Sequence, residues 1–205
     1  MAIAAHENGQ LALEGLFVAG ADAANRGAVI APPHPLYGGS MDSPVVSEIA
    51  FAFQRSGMAS LAFNWRGVGA SAGAPSGELA DALADYAAAL AHLEQTVEGP
   101  LTACGYSFGA VAATRLLGHN ARVGRALLVA PPPSMLDSGT LAAFRGPLLI
   151  IAGEEDAFAP FSEVEKLAAS LERTELVSVL EADHFFMNGL AQIGRATADW
   201  IARTN

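Results

Sequence analysis

The chain has 205 residues, 52% of them hydrophobic and 16% charged, a globular composition long enough to bury a real core. With 21 acidic against 11 basic residues its formal net charge is -10 and no Lys/Arg cluster appears, which argues against a nucleic-acid partner or an anionic membrane surface. Cys104 is the sole cysteine, so an internal disulfide and CxxC-type metal or redox motifs are excluded.

The opening stretch MAIAAHENGQ has neither a basic n-region nor a long apolar h-region, and no apolar run approaches about 18 residues. A cytoplasmic protein with no membrane span, formed by one domain over 1–205, is therefore expected. Asn8-Gly9 is a hairpin-turn signal. After it LALEGLFVA (11–19) carries Leu11, Leu13 and Phe17 at period two, so an antiparallel pair is predicted to open the fold. Further strands are predicted at GAVIA (27–31), MASLAFNW (58–65), LTACGY (101–106), RALLVA (125–130), PLLII (147–151) and ELVSVL (175–180).

Helical patterns fall between them, at 44–56, 78–95, 108–118, 162–172 and 190–203. Within 78–95, Leu79, Leu83, Tyr86, Leu90 and Leu93 share one face, with Asp81, Asp85 and Glu94 off it. Strands apolar on both faces, alternating with helices, predict an α/β fold: a doubly wound, mostly parallel sheet with right-handed crossovers. Between Ala130 and Leu148 lie only about 17 residues, room for a loop and a helical turn or two but not for a cap domain.

Ser107 stands in Gly105-Tyr106-Ser107-Phe108-Gly109, a G-x-S-x-G with a predicted strand before it and a helix after it. A nucleophile on a sharp strand-to-helix turn needs small neighbours two residues away on either side. Such a turn lifts the hydroxyl above the carboxyl edge of the sheet and aims the Phe108 N–H at a developing oxyanion. A serine needs a base. Of His6, His34, His92, His119 and His184, the last follows the strand ELVSVLEA directly and reaches the same edge. The base needs an acid, and the turn after PLLIIAG offers Glu154, Glu155 and Asp156. The order serine, acid, histidine is that of α/β hydrolases. A second oxyanion donor is expected from the loop PPHPLYGGSMD (32–42).

HPLYGGSMDSPVV, NWRGVGASAG, GYSFGA, GEEDAFAP and ADHFF resemble segments of the α/β-hydrolase superfamily, and within it a group of small, capless bacterial hydrolases related to dienelactone hydrolases and short-chain serine esterases. The resemblance covers nearly the whole chain. It implies Ser107 as nucleophile, Asp156 as acid, from the spacing of Gly153, Asp156 and Pro160, and His184 as base. It also implies Leu36 N–H as second oxyanion donor, with Tyr37 as the substitute because proline replaces the family's glycine before Leu36. Dienelactone hydrolases themselves use cysteine, so the serine here turns the expectation from their substrates to small carboxylic esters, cleaved through an acyl-enzyme with no metal or organic cofactor. A thioesterase, lactonase or amidase would use the same triad, and a non-catalytic binding protein of this fold is the alternative from another class. The expected partner is a small-molecule ester, with a homodimer as one allowed assembly.

Gly67-Val68-Gly69-Ala70-Ser71-Ala72 fits a dinucleotide fingerprint in form, but Gly73-Ala74-Pro75-Ser76-Gly77 cannot open the helix that a pyrophosphate needs. The resemblance makes it a loop beside the active site, with Arg66 as a structural ion-pair partner. Cys104 reads as buried packing. Phe185, Phe186 and Met187 read equally as acyl-pocket lining or as core or interface.

Overall fold

The computed structural model describes residues 1–5, 11–21 and 26–204. Among the described residues eight strands form one sheet: β1 (Ala2–Ala5), β2 (Leu11–Val18), β3 (Gly27–Ala31), β4 (Ala59–Phe63), β5 (Leu101–Tyr106), β6 (Val123–Val129), β7 (Leu148–Gly153) and β8 (Thr174–Val179). Their spatial order is β1-β2-β4-β3-β5-β6-β7-β8. β2 pairs antiparallel with β1 and β4, while β3 to β8 run parallel. The Asn8-Gly9 turn signal and His6 lie outside the described residues, but the antiparallel pair they introduce is present.

Every residue of β3, β4, β5 and β7 is buried, because helices cover both faces of the sheet. On one face α1 (Pro44–Arg55) and α6 (Leu190–Thr204) pack together and bury Val46, Ile49, Phe53, Ile193 and Trp200. On the other, α2 (Leu79–Glu94), α3 (Phe108–Leu116) and α5 (Phe161–Ala169) contribute Tyr86, Leu90, Ala112 and Val164. β8, last in the sheet, is only half-buried along most of its length. The segment between β6 and β7 holds a 3-10 turn, Pro133–Met135, and the six-residue α4 (Ser138–Ala143). The Asp137 side chain caps α4 by accepting the Thr140 N–H at 3.0 Å. No cap domain stands over the sheet at this connection. No helix among the described residues is long and apolar enough to cross a membrane.

The inward face of α2 differs from its leucine stripe. Leu79 and Leu83 are half-buried, whereas Ala82, Asp85 and Ala89 join Tyr86, Leu90 and Leu93 inside. Asp85, off the stripe in the helical spacing, is 1% exposed. The cause is Arg66, in the loop after β4. Its backbone N–H donates to Asp85 Oδ2 at 2.9 Å and its Nη2 to Oδ1 at 2.7 Å, and it also pairs with Asp81. A carboxylate with this many charge-assisted donors can enter the interior, and it anchors the loop to α2. Removing one partner of a buried pair strands the other charge. Asp85→Ala should therefore cost about 3–5 kcal/mol of stability, read as a lower urea midpoint with an unchanged m-value.

Candidate active site

The strand-to-helix turn between β5 and α3 holds Ser107 at φ 54, ψ -115, a conformation rare for a residue with a side chain. The two glycines that flank it are required by contact. A Cβ on Gly105 would lie 2.2 Å from the Gly109 carbonyl, and one on Gly109 would lie 2.3 Å from Ala31 O at the end of β3. The Ser107 N–H donates to Val129 O at 2.9 Å, which ties the turn to β6. The Ser107 side chain is left half-buried at the carboxyl edge, and the Phe108 N–H is among the first-turn donors that a helix cannot satisfy internally.

Ser107 Oγ lies 2.8 Å from His184 Nε2, and His184 Nδ1 lies 2.7 Å from Asp156 Oδ2. The fold brings these three together from the ends of β5, β7 and β8. A Cβ on Gly153 would meet Ala182 O at 2.3 Å, so the loops after β7 and β8 run in direct contact. Glu154 and Glu155 use their N–H groups on Val179 O and Ala182 O and keep exposed side chains. Asp156 alone of the three carboxylates turns inward. Its Oδ1 accepts the Phe158 and Ala159 N–H groups at 2.8 and 2.7 Å, which leaves Oδ2 for the imidazole. His92 is half-buried on α2 and His119 exposed beyond α3, and neither shares this chain of contacts.

Tyr106 was not foreseen. Its hydroxyl donates to His184 O at 2.8 Å, so the residue before the serine holds the backbone of the histidine. Burial, with Asp156 and Asp183 nearby, pushes the phenol well above its ordinary range and keeps it a donor. Asn64 and Trp65 were also missed. Asn64 Oδ1 accepts the Met41 N–H at 2.7 Å and its amide nitrogen donates to Glu14 at 2.8 Å. Trp65 Nε1 donates to Pro33 O at 2.9 Å. Together they fasten the loop after β3. Glu14, on β2, also takes the Ala70 N–H, and these donors hold its carboxyl below the usual range. The glycine-rich stretch after β4 is thus pinned by side chains: a Cβ on Gly69 would meet Glu14 and Asn64 at 2.4 and 2.5 Å. Cys104 is fully buried in β5, where burial raises its thiol well above the ordinary value.

The loop after β3 departs from expectation in detail. It forms a 3-10 turn, Pro35–Tyr37, capped by His34. The Leu36 N–H donates to His34 Nδ1 at 3.2 Å and the Tyr37 N–H to His34 O at 3.1 Å, so both expected second donors are engaged. The His34 ring packs against Tyr37 and Phe108, with centroids 4.7 and 4.6 Å away. Phe186 is core, whereas Phe185 and Met187 are exposed. A cavity of about 400 Å³ lined by Leu117, His119, Asn120 and Thr140 opens beside Val123, at the opposite edge of the sheet from Ser107.

The family model for serine aminopeptidase, S33, matches residues 35–136, a span that contains Ser107 but ends before Asp156 and His184. An α/β serine hydrolase homologue from Coxiella burnetii is 28% identical, with 92% of this chain and 91% of that one covered and a TM-score of 0.83. A protein of unknown function from Agrobacterium tumefaciens is 29% identical over 94% and 91%, at 0.84. An α/β serine hydrolase without lid from Xanthomonas campestris is 25% identical over 99% and 93%, at 0.77. The chain belongs to the α/β-hydrolase superfamily, as a serine hydrolase.

Burial lowers the His34 pKa, and its Nδ1 must be unprotonated to accept the Leu36 N–H. The unfolded chain therefore binds the proton first, at the ordinary histidine value of about 6.5, and stability is lost as pH falls through that value towards the depressed folded one. Melting temperatures of the protein and of His34→Gln should diverge across this window, with the parent falling further on acidification. A pH-independent difference would show that His34 does not titrate in this way.

Proposed function

We propose that this domain is a cytoplasmic carboxylesterase acting on small esters through Ser107, His184 and Asp156. The observation that carries the reading is the continuous path Oγ–Nε2–Nδ1–Oδ2, with contacts of 2.8 and 2.7 Å. Asp156 Oδ2 accepts from Nδ1–H, which leaves Nε2 as the acceptor facing the serine. His184 takes the Ser107 proton as Oγ attacks the ester carbonyl, then gives it to the departing alcohol. Water repeats the cycle on the acyl-enzyme. General-base action of this kind contributes roughly 10²–10⁴-fold.

The oxyanion is assigned to the Phe108 N–H and, once it leaves His34, the Leu36 N–H. Each such donor contributes about 3–4 kcal/mol to lowering the barrier. The Leu36 donor must give up a 3.2 Å hydrogen bond to act, so part of the binding energy is spent on arranging the hole. The matched family's description favours a second reading, cleavage of an amino-terminal peptide bond by the same triad. It would require a carboxylate to hold the substrate's ammonium group.

p-Nitrophenyl acetate and butyrate should be hydrolysed faster than octanoate. Ser107→Ala and His184→Ala should reduce kcat to background, and Asp156→Asn should lower it by about 10⁴-fold by disturbing the tautomer. A fluorophosphonate should label Ser107. Full activity in Ser107→Ala, or an unlabelled Ser107, would overturn the assignment.

A further inference from the structure

Two phenylalanines flank the imidazole and are unaccounted for by proton transfer. The Phe158 ring lies 5.0 Å from that of His184 and the Phe185 ring 5.7 Å, and the two phenyl rings are 6.3 Å apart. They are 64% and 60% exposed. Large apolar rings left open to water beside a reactive group contribute little to folding and leave apolar area for a ligand to cover. Their positions are set by the backbone. The Phe158 N–H donates to Asp156 Oδ1 at 2.8 Å and the Phe185 N–H to Asp183 Oδ1 at 3.1 Å, so both Cα atoms are held while the rings face outward.

Direction decides what they touch. In the tetrahedral intermediate the oxyanion faces the Phe108 N–H, across the serine from the histidine. The alkoxy oxygen must face His184 Nε2, which protonates it. The group carried on that oxygen therefore projects past the imidazole and over the exposed surface of the two rings that border it, whereas the acyl substituent takes the remaining direction. We propose that Phe158 and Phe185 form the leaving-group subsite, selecting esters of aromatic or bulky apolar alcohols. Edge or face contacts of a ligand ring with these two phenyl rings add a preference for an aryl group beyond area alone.

The inference rests on the hydrolase reading, and the test separates the two. Benzyl acetate and 2-methoxyethyl acetate have alcohols of similar acidity and reach, so their kcat/KM ratio reports contact with the leaving group during acylation. The ratio should favour the benzyl ester by about tenfold or more. It should fall in Phe158→Ala and in Phe185→Ala and approach one in the double variant. Moving the ring to the acyl side, as methyl phenylacetate against methyl methoxyacetate, should give a ratio that the same variants leave unchanged.

A ratio near one in the parent enzyme, a ratio that survives the double substitution, or an equal fall on both acetates would overturn the subsite. The last result would mean that the rings serve only to hold the imidazole. Hydrolysis of none of the four esters, with Ser107 unlabelled, would remove the hydrolase reading and the subsite with it. Because both side chains are largely exposed, all three variants should keep the parent melting temperature within a few degrees.

Discussion

The first turn of α3 is pressed against the ends of β3 and β5 so closely that a single methyl group at Gly105 or Gly109 would overlap backbone atoms. That approach forces the chain to reverse within one residue and puts the reversal on Ser107, at positive φ. The cost of the dihedral is offset by the bond from Ser107 N–H to Val129 O and by the fully buried face of α3. Relaxing the contact would move the hydroxyl, the Phe108 N–H and the axis of α3 together. The other positive-φ residues with side chains at this edge, Ala130, Glu181 and Phe186, sit in the loops that supply or border the same site. Strain is concentrated at the edge of the sheet that carries Ser107.

Most of the architecture was legible because its signals are local. Apolar runs and their spacing located the strands and the main helices to within a few residues, and the short 131–147 segment ruled out a cap at that connection. The serine turn was legible for the same reason, since two glycines and one polar residue specify a shape. Choosing among Glu154, Glu155 and Asp156 from residues alone was not feasible. The choice depends on Gly153 touching Ala182, a contact between loops about thirty residues apart in sequence.

Hydrogen bonds between distant segments explain the remaining misses. Asp85 lies off the leucine stripe in the helical spacing, and the N–H and guanidinium of Arg66 make its burial tolerable. The engagement of Leu36 N–H by His34 depends on the ring's rotamer and tautomer, to which sequence spacing is blind. Asn64 and Glu14 have the same character. Each is an ordinary polar residue until the fold places the loop after β3, the glycine-rich loop and β2 around them.

The hydroxyl of Tyr106 gives the carboxyl edge of the sheet a common frame of reference. Ser107 follows Tyr106, the last residue of β5, and the same tyrosine grips the carbonyl of His184, 78 residues along the chain. Two segments that meet only through tertiary packing are therefore indexed to one rigid strand. The side chains beyond the histidine, Phe185 and Met187, hang outside this frame. Either can be exchanged for another side chain while Tyr106 still fixes the separation between hydroxyl and imidazole, so the shape of this surface and the accuracy of alignment are assigned to different atoms.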